Sequence, residues 1–169
     1  MTHTPFAGLG SRSVGVGIGE YAVASNGELV THALGSCIAV CLWDSRRHLG
    51  GLLHLMLPSS VGRGNDRPAL YADSGIKLLI EGMKAKGANL RITRAYLIGG
   101  SSLAGTSVFA VGQRNIIAAR RSLYANRIIV AGEDVGGNIP RSVRMHVLDG
   151  QIIVTSPGLA ARVFQARHP

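Results

Sequence analysis

Two cysteines and a histidine lie in apolar surroundings that could support nucleophilic chemistry. Cys37 follows Gly35-Ser36, a tight turn that leads into an apolar run. At such a corner we expect an exposed thiol whose pKa a neighbouring imidazolium could hold low, as thiolate nucleophiles require. A glycine lets the backbone approach a substrate closely, and successive N–H groups of the turn can point at a developing oxyanion. Cys37 is therefore a candidate nucleophile, with Gly35 and Ser36 beside the oxyanion.

The histidine, His54, lies inside the apolar stretch 50–58 and must find a hydrogen-bond partner there. If its strand runs beside Cys37, imidazole and thiol form a dyad, and a third group would hold the ring in one tautomer. Taken alone, both residues fit a packing role better than a catalytic one, as a core thiol and a hydrogen-bonded core histidine. Cys41, in the middle of an apolar run, is predicted to be a packing residue.

Other chemistries fit the residues less well. A disulfide between Cys37 and Cys41 would be strained, because four residues of strand span about 13 Å. Two free thiols agree with a reducing compartment. A zinc site drawn from these cysteines with His32, His48 or His54 matches no compact spacing. With nine acidic residues and no evident pair, carboxylate catalysis is not indicated. We expect neither a metal nor a cofactor.

Length and composition describe a folded chain of ordinary size. Its 169 residues suit one domain, and 46% hydrophobic against 16% charged residues exclude a disordered chain. No apolar run has the length of a membrane span, and the first ten residues lack the pattern of a signal peptide. We therefore predict a flexible leader over residues 1–12 and a single domain over residues 13–169, in the cytoplasm and not inserted in a membrane.

The net charge of +9 needs an explanation, and an acidic partner is one possibility. Nucleic acid is one candidate, but the arginines are scattered, few aromatic residues accompany them, and no nucleic-acid motif is present. A basic, solvated surface without a specific partner is a second interpretation. Long-range attraction to an acidic protein is a third, and we prefer it to nucleic acid.

The hydrophobic pattern predicts an α+β chain. Helices are expected from residue 68 to a stop at Gly87 and over residues 113–126, with Ile116, Ile117 and Leu123 toward the core. Strands are expected over residues 14–23, 29–31, 38–43, 49–57, 94–98, 127–131, 143–148 and 151–155. The fourth strand should pair with the third as a hairpin, and Asp149-Gly150 should form a two-residue hairpin turn. Without strict βαβ alternation, the fold class is a layered α/β sandwich of mixed sheets flanked by helices.

A combination of motifs runs from about residue 14 to residue 157. The motifs are Thr31-His32-Ala33-Leu34-Gly35-Ser36-Cys37, Gly50-Gly51-Leu52-Leu53-His54-Leu55-Met56-Leu57-Pro58, Tyr71-Ala72-Asp73, Gly99-Gly100, Val111-Gly112-Gln113-Arg114-Asn115 and Asp134-Val135-Gly136-Gly137. With them the chain resembles the CheD family of chemoreceptor glutamine deamidases. The pairing of the Leu-Gly-Ser-Cys and His-Leu-Met-Leu-Pro motifs is far more specific than a lone cysteine or histidine.

The resemblance implies a cysteine-hydrolase fold, shared with deamidating toxins, in which glutamine becomes glutamate through a thioester. It places the nucleophile on Cys37, the histidine on His54 and a third catalytic residue on Thr31, and it gives Ser36 and Cys37 as backbone donors to the oxyanion. The implied substrate is the cytoplasmic domain of a chemotaxis receptor. A CheC-type phosphatase is a further implied partner, so an adaptor role is the alternative to catalysis.

Overall fold

A computed structural model of the chain describes residues 12–64, 66–102 and 110–166. Within these residues there are ten strands, two α-helices and one 3₁₀ turn. The strands are β1 Ser13–Gly15, β2 Tyr21–Ala24, β3 Glu28–Leu34, β4 Ile38–Asp44, β5 Leu49–Leu55, β6 Arg94–Gly99, β7 Ile129–Val135, β8 Arg141–His146, β9 Ile152–Thr155 and β10 Arg162–Phe164. The helices are α1 Ala72–Ala85 and α2 Val111–Ala125, and the 3₁₀ turn is Pro68–Leu70. The predicted leader lies outside the described residues except for Arg12.

The strands form two sheets, each with five strands. The first sheet has the order β1-β3-β8-β9-β10 and the second the order β2-β5-β4-β6-β7. Both are mixed, because β1 pairs with β3 and β6 with β7 in parallel while the other neighbours are antiparallel. The first sheet packs on one face of the second, and both helices pack on the other. This arrangement confirms the predicted α+β layered sandwich.

The position of the second sheet, between the first sheet and the helices, explains why the sequence of β4 is an unbroken apolar run. All seven of its residues are buried, because one face meets the helices and the other meets the first sheet. Residues that face the helices are Ile38, Val40 and Leu42, and those that face the first sheet are Ala39, Cys41 and Trp43. The predicted hairpin with β5 is confirmed, and so is the packing role of Cys41.

The helices bury one stripe each, as an amphipathic pattern requires. In α1 the buried residues include Ile76, Leu79 and Met83, and Gly87 follows the helix end in a left-handed conformation. In α2, Ile116 and Leu123 face the core as predicted. Ile117 is 46% exposed, so its predicted core position is wrong. Successive helical residues lie about 100° apart, and only one of this pair can face the sheet.

Two local predictions fail, and one strand is missed, where pairing depends on distant parts of the chain. The strand predicted over residues 14–23 is two strands on different sheets, since the chain turns between them and Glu20 accepts a hydrogen bond from the Gly17 N–H. β8 and β9 are antiparallel as predicted, but residues 147–151 form a five-residue connection instead of a two-residue turn. β10, at the sheet edge, was not predicted. Neither helix in the described part of the chain is long and apolar enough to cross a membrane.

The surroundings of Gly150, in the connection between β8 and β9, predict that its replacement costs more stability than replacement of Gly62. Gly150 has φ +71°, and a Cβ there would lie 2.3 Å from the Trp43 ring. Gly62 has φ +74° but open space around it. Gly62→Ala should lose about 1–2 kcal/mol of unfolding free energy to backbone strain. Gly150→Ala should lose about 1–3 kcal/mol more to overpacking. Urea unfolding followed by circular dichroism measures both, and equal losses would contradict the packing described here.

Candidate active site

Thr31 and His54 meet in the space between the two sheets. Thr31 lies on β3 of the first sheet and His54 on β5 of the second, and both are buried. Thr31 Oγ1 lies 2.8 Å from His54 Nδ1 and donates to the Val16 carbonyl over 2.7 Å. A single hydroxyl therefore links the imidazole to the backbone that follows β1.

These contacts determine which imidazole nitrogen carries the proton. The Thr31 hydroxyl has one hydrogen, which it gives to the Val16 carbonyl, so it must accept from His54 Nδ1–H. In the neutral ring Nε2 then carries a free lone pair. Nε2 is buried and has no hydrogen-bond partner among the described residues. The ring is held in the tautomer that a general base needs.

A bulge in β3 leads from Thr31 to the corner that holds Cys37. The pairing of β3 with β8 shifts register between Thr31 and Leu34, and Ala33 has φ +57°. Both Thr31 and Leu34 consequently point inward, although an even strand would place them on opposite faces. The chain then turns through Gly35 and enters β4 directly after Cys37.

The ladder between β4 and β5 places Cys37 near His54. Ala39 lies opposite His54, and the last pair is Ile38 with Leu55. Cys37 is one residue beyond the ladder, which makes it the diagonal neighbour of His54, a spacing of about 7–8 Å between backbones. Both side chains face the first sheet. The structure therefore brings Thr31 and His54 into direct contact and sets Cys37 beside them without a hydrogen bond to Nε2.

Burial controls the protonation of both groups. Cys37 is only 8% exposed, so the expected exposure of its thiol is wrong. Burial raises the pKa of the thiol, and the hydrogen bond from its own backbone N–H lowers it in part. Burial also lowers the pKa of His54, partly offset by hydrogen bonding to the Val16 carbonyl. These directions favour a resting pair of neutral thiol and neutral imidazole over the expected thiolate and imidazolium.

At the corner the backbone carbonyls are bound and the N–H groups are left open. Ser101 N–H donates to the Gly35 carbonyl over 2.9 Å, and Gly100 N–H donates to the Cys37 carbonyl over 2.8 Å. The Ser36 carbonyl is bound as well, by a side-chain amide. Within the described part of the chain, no other residue accepts from the N–H of Ser36 or Cys37. Two adjacent backbone N–H groups at the corner are thus without an acceptor in another described residue.

The side-chain amide at the corner belongs to Asn115, whose place in the site was not predicted. It is fully buried and donates from Nδ2 to the carbonyls of Ser36 and Met56, each over 2.9 Å. A signal was present, because Asn115 precedes Ala119 and Leu123 by four and eight residues and so interrupts the apolar stripe of α2. The Val16 carbonyl, a backbone group, gave no signal in the sequence.

Two cavities adjoin these elements. One of about 310 Å³ is lined by Thr31, His54 and residues 15–18. A larger one of about 580 Å³ lies over α2, lined by residues that include Arg114 and Arg121, and holds none of the predicted site residues. The Cys37 corner is the candidate site, because the His54 imidazole and the N–H groups of residues 36 and 37 lie near the thiol. The described residues contain no group of three or more metal-binding side chains suited to an ion.

Comparison with known proteins identifies the family. The model of a family described as "CheD chemotactic sensory transduction" matches residues 56–156. The chain belongs to the CheD family. The predicted resemblance is confirmed. The family match begins at Met56, so the catalytic roles of Thr31, Cys37 and His54 stay predictions for this CheD-family chain.

Relatives in bacteria and archaea align with most of this CheD-family chain. "Probable chemoreceptor glutamine deamidase CheD 1" of Syntrophus aciditrophicus (strain SB) is 41% identical over 149 residues, covering 85% of this chain and 93% of the relative. "Chemoreceptor glutamine deamidase CheD" of Thermotoga maritima is 40% identical over 144 residues, covering 85% and 91%. A probable CheD of Thermococcus kodakarensis is 40% identical over 146 residues, covering 82% and 89%.

The burial of both thiols predicts how this CheD-family chain reacts with iodoacetamide. Because the pKa of Cys37 is raised above its ordinary value of 9.0, its alkylation rate should still be rising at that pH. Cys41 is fully buried and its pKa is raised to about 12, so Cys37→Ala should not react and Cys41→Ala should react like the wild type. Mass spectrometry of alkylated peptides measures the rates. A rate that is level from acidic pH upward would indicate a resting thiolate and contradict the neutral pair.

Replacement of Thr31 tests the tautomer. Thr31→Val removes the acceptor of Nδ1–H and the donor to Val16, which should cost about 1–3 kcal/mol for each buried group left unpaired. ¹⁵N NMR of the imidazole should also show a smaller share of the Nδ1–H form, because only the Val16 carbonyl is left to accept from Nδ1. Thr31→Ser keeps the hydroxyl and should preserve both the tautomer and most of the stability. An unchanged tautomer in Thr31→Val would show that another group holds the ring.

Proposed function

We propose that this CheD-family chain deamidates glutamine side chains of chemoreceptors, with Cys37 as nucleophile, His54 as proton shuttle and Thr31 as the residue that orients the imidazole. The observation that carries the proposal is the buried imidazole whose Nδ1–H is held by Thr31 while Nε2 has no partner among the described residues. The relatives named chemoreceptor glutamine deamidases supply the substrate class. Membership of their family supports transferring it to this chain.

The first half of the reaction forms a thioester. As Cys37 Sγ attacks the carboxamide carbon, Nε2 of neutral His54 takes the thiol proton, so no free thiolate is needed beforehand. The carbonyl oxygen becomes an oxyanion and accepts hydrogen bonds from the N–H groups of Ser36 and Cys37. One such donor contributes about 2.7–4 kcal/mol where it has been removed from an enzyme. Protonated His54 then gives its proton to the departing nitrogen, and ammonia leaves.

The second half regenerates the thiol. Neutral His54 removes a proton from water as the water oxygen attacks the thioester carbon, the C–S bond breaks, and the sulfur recovers a proton. The net change is glutamine and water to glutamate and ammonia. Burial lowers the pKa of His54, so the protonated ring is a strong acid toward the leaving group and is neutral again at the start of each cycle.

The packing supports a cysteine-hydrolase type of fold acting as one unit over residues 13–169. Cys37 lies directly before β4, the middle strand of the second sheet, and His54 lies on the neighbouring strand β5. The apolar cluster on the helix side of the second sheet and the cluster on its other side both include residues of β4, β5 and β6. Neither face of the second sheet therefore forms a separate core. Two free thiols and a receptor substrate support a cytoplasmic site of action.

The basic charge supports an acidic partner surface on the receptor. The net charge is +9, and the cavity over α2 presents Arg114 and Arg121 on either side of exposed Ile117. Arg114 adjoins Asn115, which binds the corner next to the nucleophile. A receptor surface that carries acidic residues would be attracted to these arginines.

The decisive experiment incubates the protein with the cytoplasmic fragment of a cognate receptor and maps the products by mass spectrometry. Specific glutamines should become glutamates, with ammonia released in equal amount. Cys37→Ala should abolish conversion because it removes the nucleophile. The matched Cys41→Ala variant should keep it, since Cys41 lies within the core. Absence of conversion by the wild type on every cognate receptor would refute the proposal.

Two further outcomes separate the alternatives. Release of methanol from methylated receptor, in place of ammonia, would reassign the same thioester route to glutamyl methyl esters. Restoration of chemotaxis by Cys37→Ala in a deletion strain would instead point to a binding role, for which a CheC-type phosphatase is the partner to test.

A further inference from the structure

Asn115 joins the two halves of the proposed site through the backbone. Its Nδ2 donates to the carbonyl of Ser36, which precedes the nucleophile, and to that of Met56, two residues beyond His54. The two acceptors use both hydrogens of the amide, which fixes the end of Asn115 that faces the corner. One buried side chain thus ties the turn that carries Cys37 to the end of the strand that carries His54.

The packing alone does not account for a polar residue at this position. Asn115 is fully buried, and its Oδ1 has no partner among the described residues. A buried acceptor left unpaired destabilises a fold, and an apolar residue of similar size would avoid that cost. What an apolar residue could not supply is the pair of donors to the two carbonyls.

The bond to Ser36 sets the direction of the next N–H group. The peptide between Ser36 and Cys37 is trans, so its C=O and N–H point in opposite directions. With the carbonyl held against Asn115, the Cys37 N–H points away from α2. That N–H hydrogen-bonds to the Cys37 sulfur, which places it on the side of the thiol.

We propose that Asn115 is a positioning residue that, by holding the Ser36 carbonyl, aims the Cys37 N–H at the oxyanion formed when the thiol attacks. This inference rests on the proposed function, because the oxyanion forms only during acyl transfer. Asn115 acts through the backbone, and it holds the donor in place before substrate arrives, which is the condition for strong electrostatic stabilisation.

The absence of a side chain at the start of α2 allows Asn115 to approach the corner that carries Cys37. A Cβ at Gly112 would lie 2.4 Å from the Gly100 carbonyl oxygen, so the helix can approach the segment after β6 only because residue 112 has no side chain. Gly100 N–H in turn holds the Cys37 carbonyl, and Gly136 N–H holds the Gly99 carbonyl over 2.9 Å. Three glycine-containing motifs of the sequence thereby support one corner.

Asn115→Asp and Asn115→Ala, each compared with Asn126→Ala, test the inference in the full chain. Aspartate keeps the size of the side chain but has no hydrogens to donate. Asn126 is the matched control, because it lies just after the end of α2 and its amide donates to the Ser122 carbonyl over 2.8 Å, far along the helix from the corner. For each variant we would measure kcat and KM on a receptor fragment, the alkylation rate of the Cys37 thiol, and the ¹⁵N–¹H signal of the Cys37 amide.

Both Asn115 variants should lower kcat between about tenfold and about a hundredfold with little change in KM, as expected when only transition-state stabilisation is lost. Alkylation, which forms no oxyanion, should change less than kcat, and the Cys37 amide signal should move. Asn126→Ala should match the wild type in all three. A wild-type kcat in a folded Asn115 variant would overturn the inference, and so would equal losses of kcat and alkylation, which indicate general damage to the site.

The readouts also separate this inference from the proposed function. If the wild type itself does not deamidate the fragment, the proposed function fails, and the Cys37 amide signal decides on Asn115 alone. A shift in Asn115→Asp that is absent in Asn126→Ala supports the positioning role. An unmoved signal in Asn115→Asp overturns it.

Discussion

The Thr31 hydroxyl has one hydrogen and two neighbours that could take it, and the use of that hydrogen organises the site. Because it goes to the Val16 carbonyl, the oxygen can only accept from His54, and the imidazole must carry its proton on Nδ1. The same three groups come from the segment after β1, from β3 and from β5. The same hydrogen bonds therefore join the two sheets and fix which nitrogen of the imidazole is protonated. A shift of either sheet would alter both.

Because the site is buried, its resting protonation state differs from that of a thiolate paired with an imidazolium. A charged pair would have to be stabilised in an apolar space, where the loss of hydration favours the neutral forms. The proposed proton transfer then belongs to the attack itself, and charge appears only when the substrate carbonyl supplies an oxygen for the open N–H groups. An aspartate in place of Thr31 would add a permanent buried charge to a site whose other groups rest neutral.

Sequence reasoning succeeded where a pattern is local. The apolar runs of β4 and β5, the stripe of α1 and the positions of Ile116 and Leu123 follow from hydrophobic spacing alone. It failed where partners are distant, as between β1 and β2, because nothing local states that neighbouring strands join different sheets. Cys37 and His54 became candidates through residue type, while Thr31 came only from family likeness, and their catalytic roles stay predictions. Asn115 was passed over although it interrupts an apolar stripe.

The open N–H groups beside Cys37 have a consequence for how this corner tolerates sequence change. Their chemistry is a property of peptide orientation, so an alanine scan would leave the donor of residue 36 in place and score that position as neutral. The N–H donor of residue 36 does not depend on the side chain there, whereas the hold on the Ser36 carbonyl depends on the Asn115 side chain. The geometry of such a corner therefore depends on the supporting glycines and on Asn115 more than on the side chains of the turn itself.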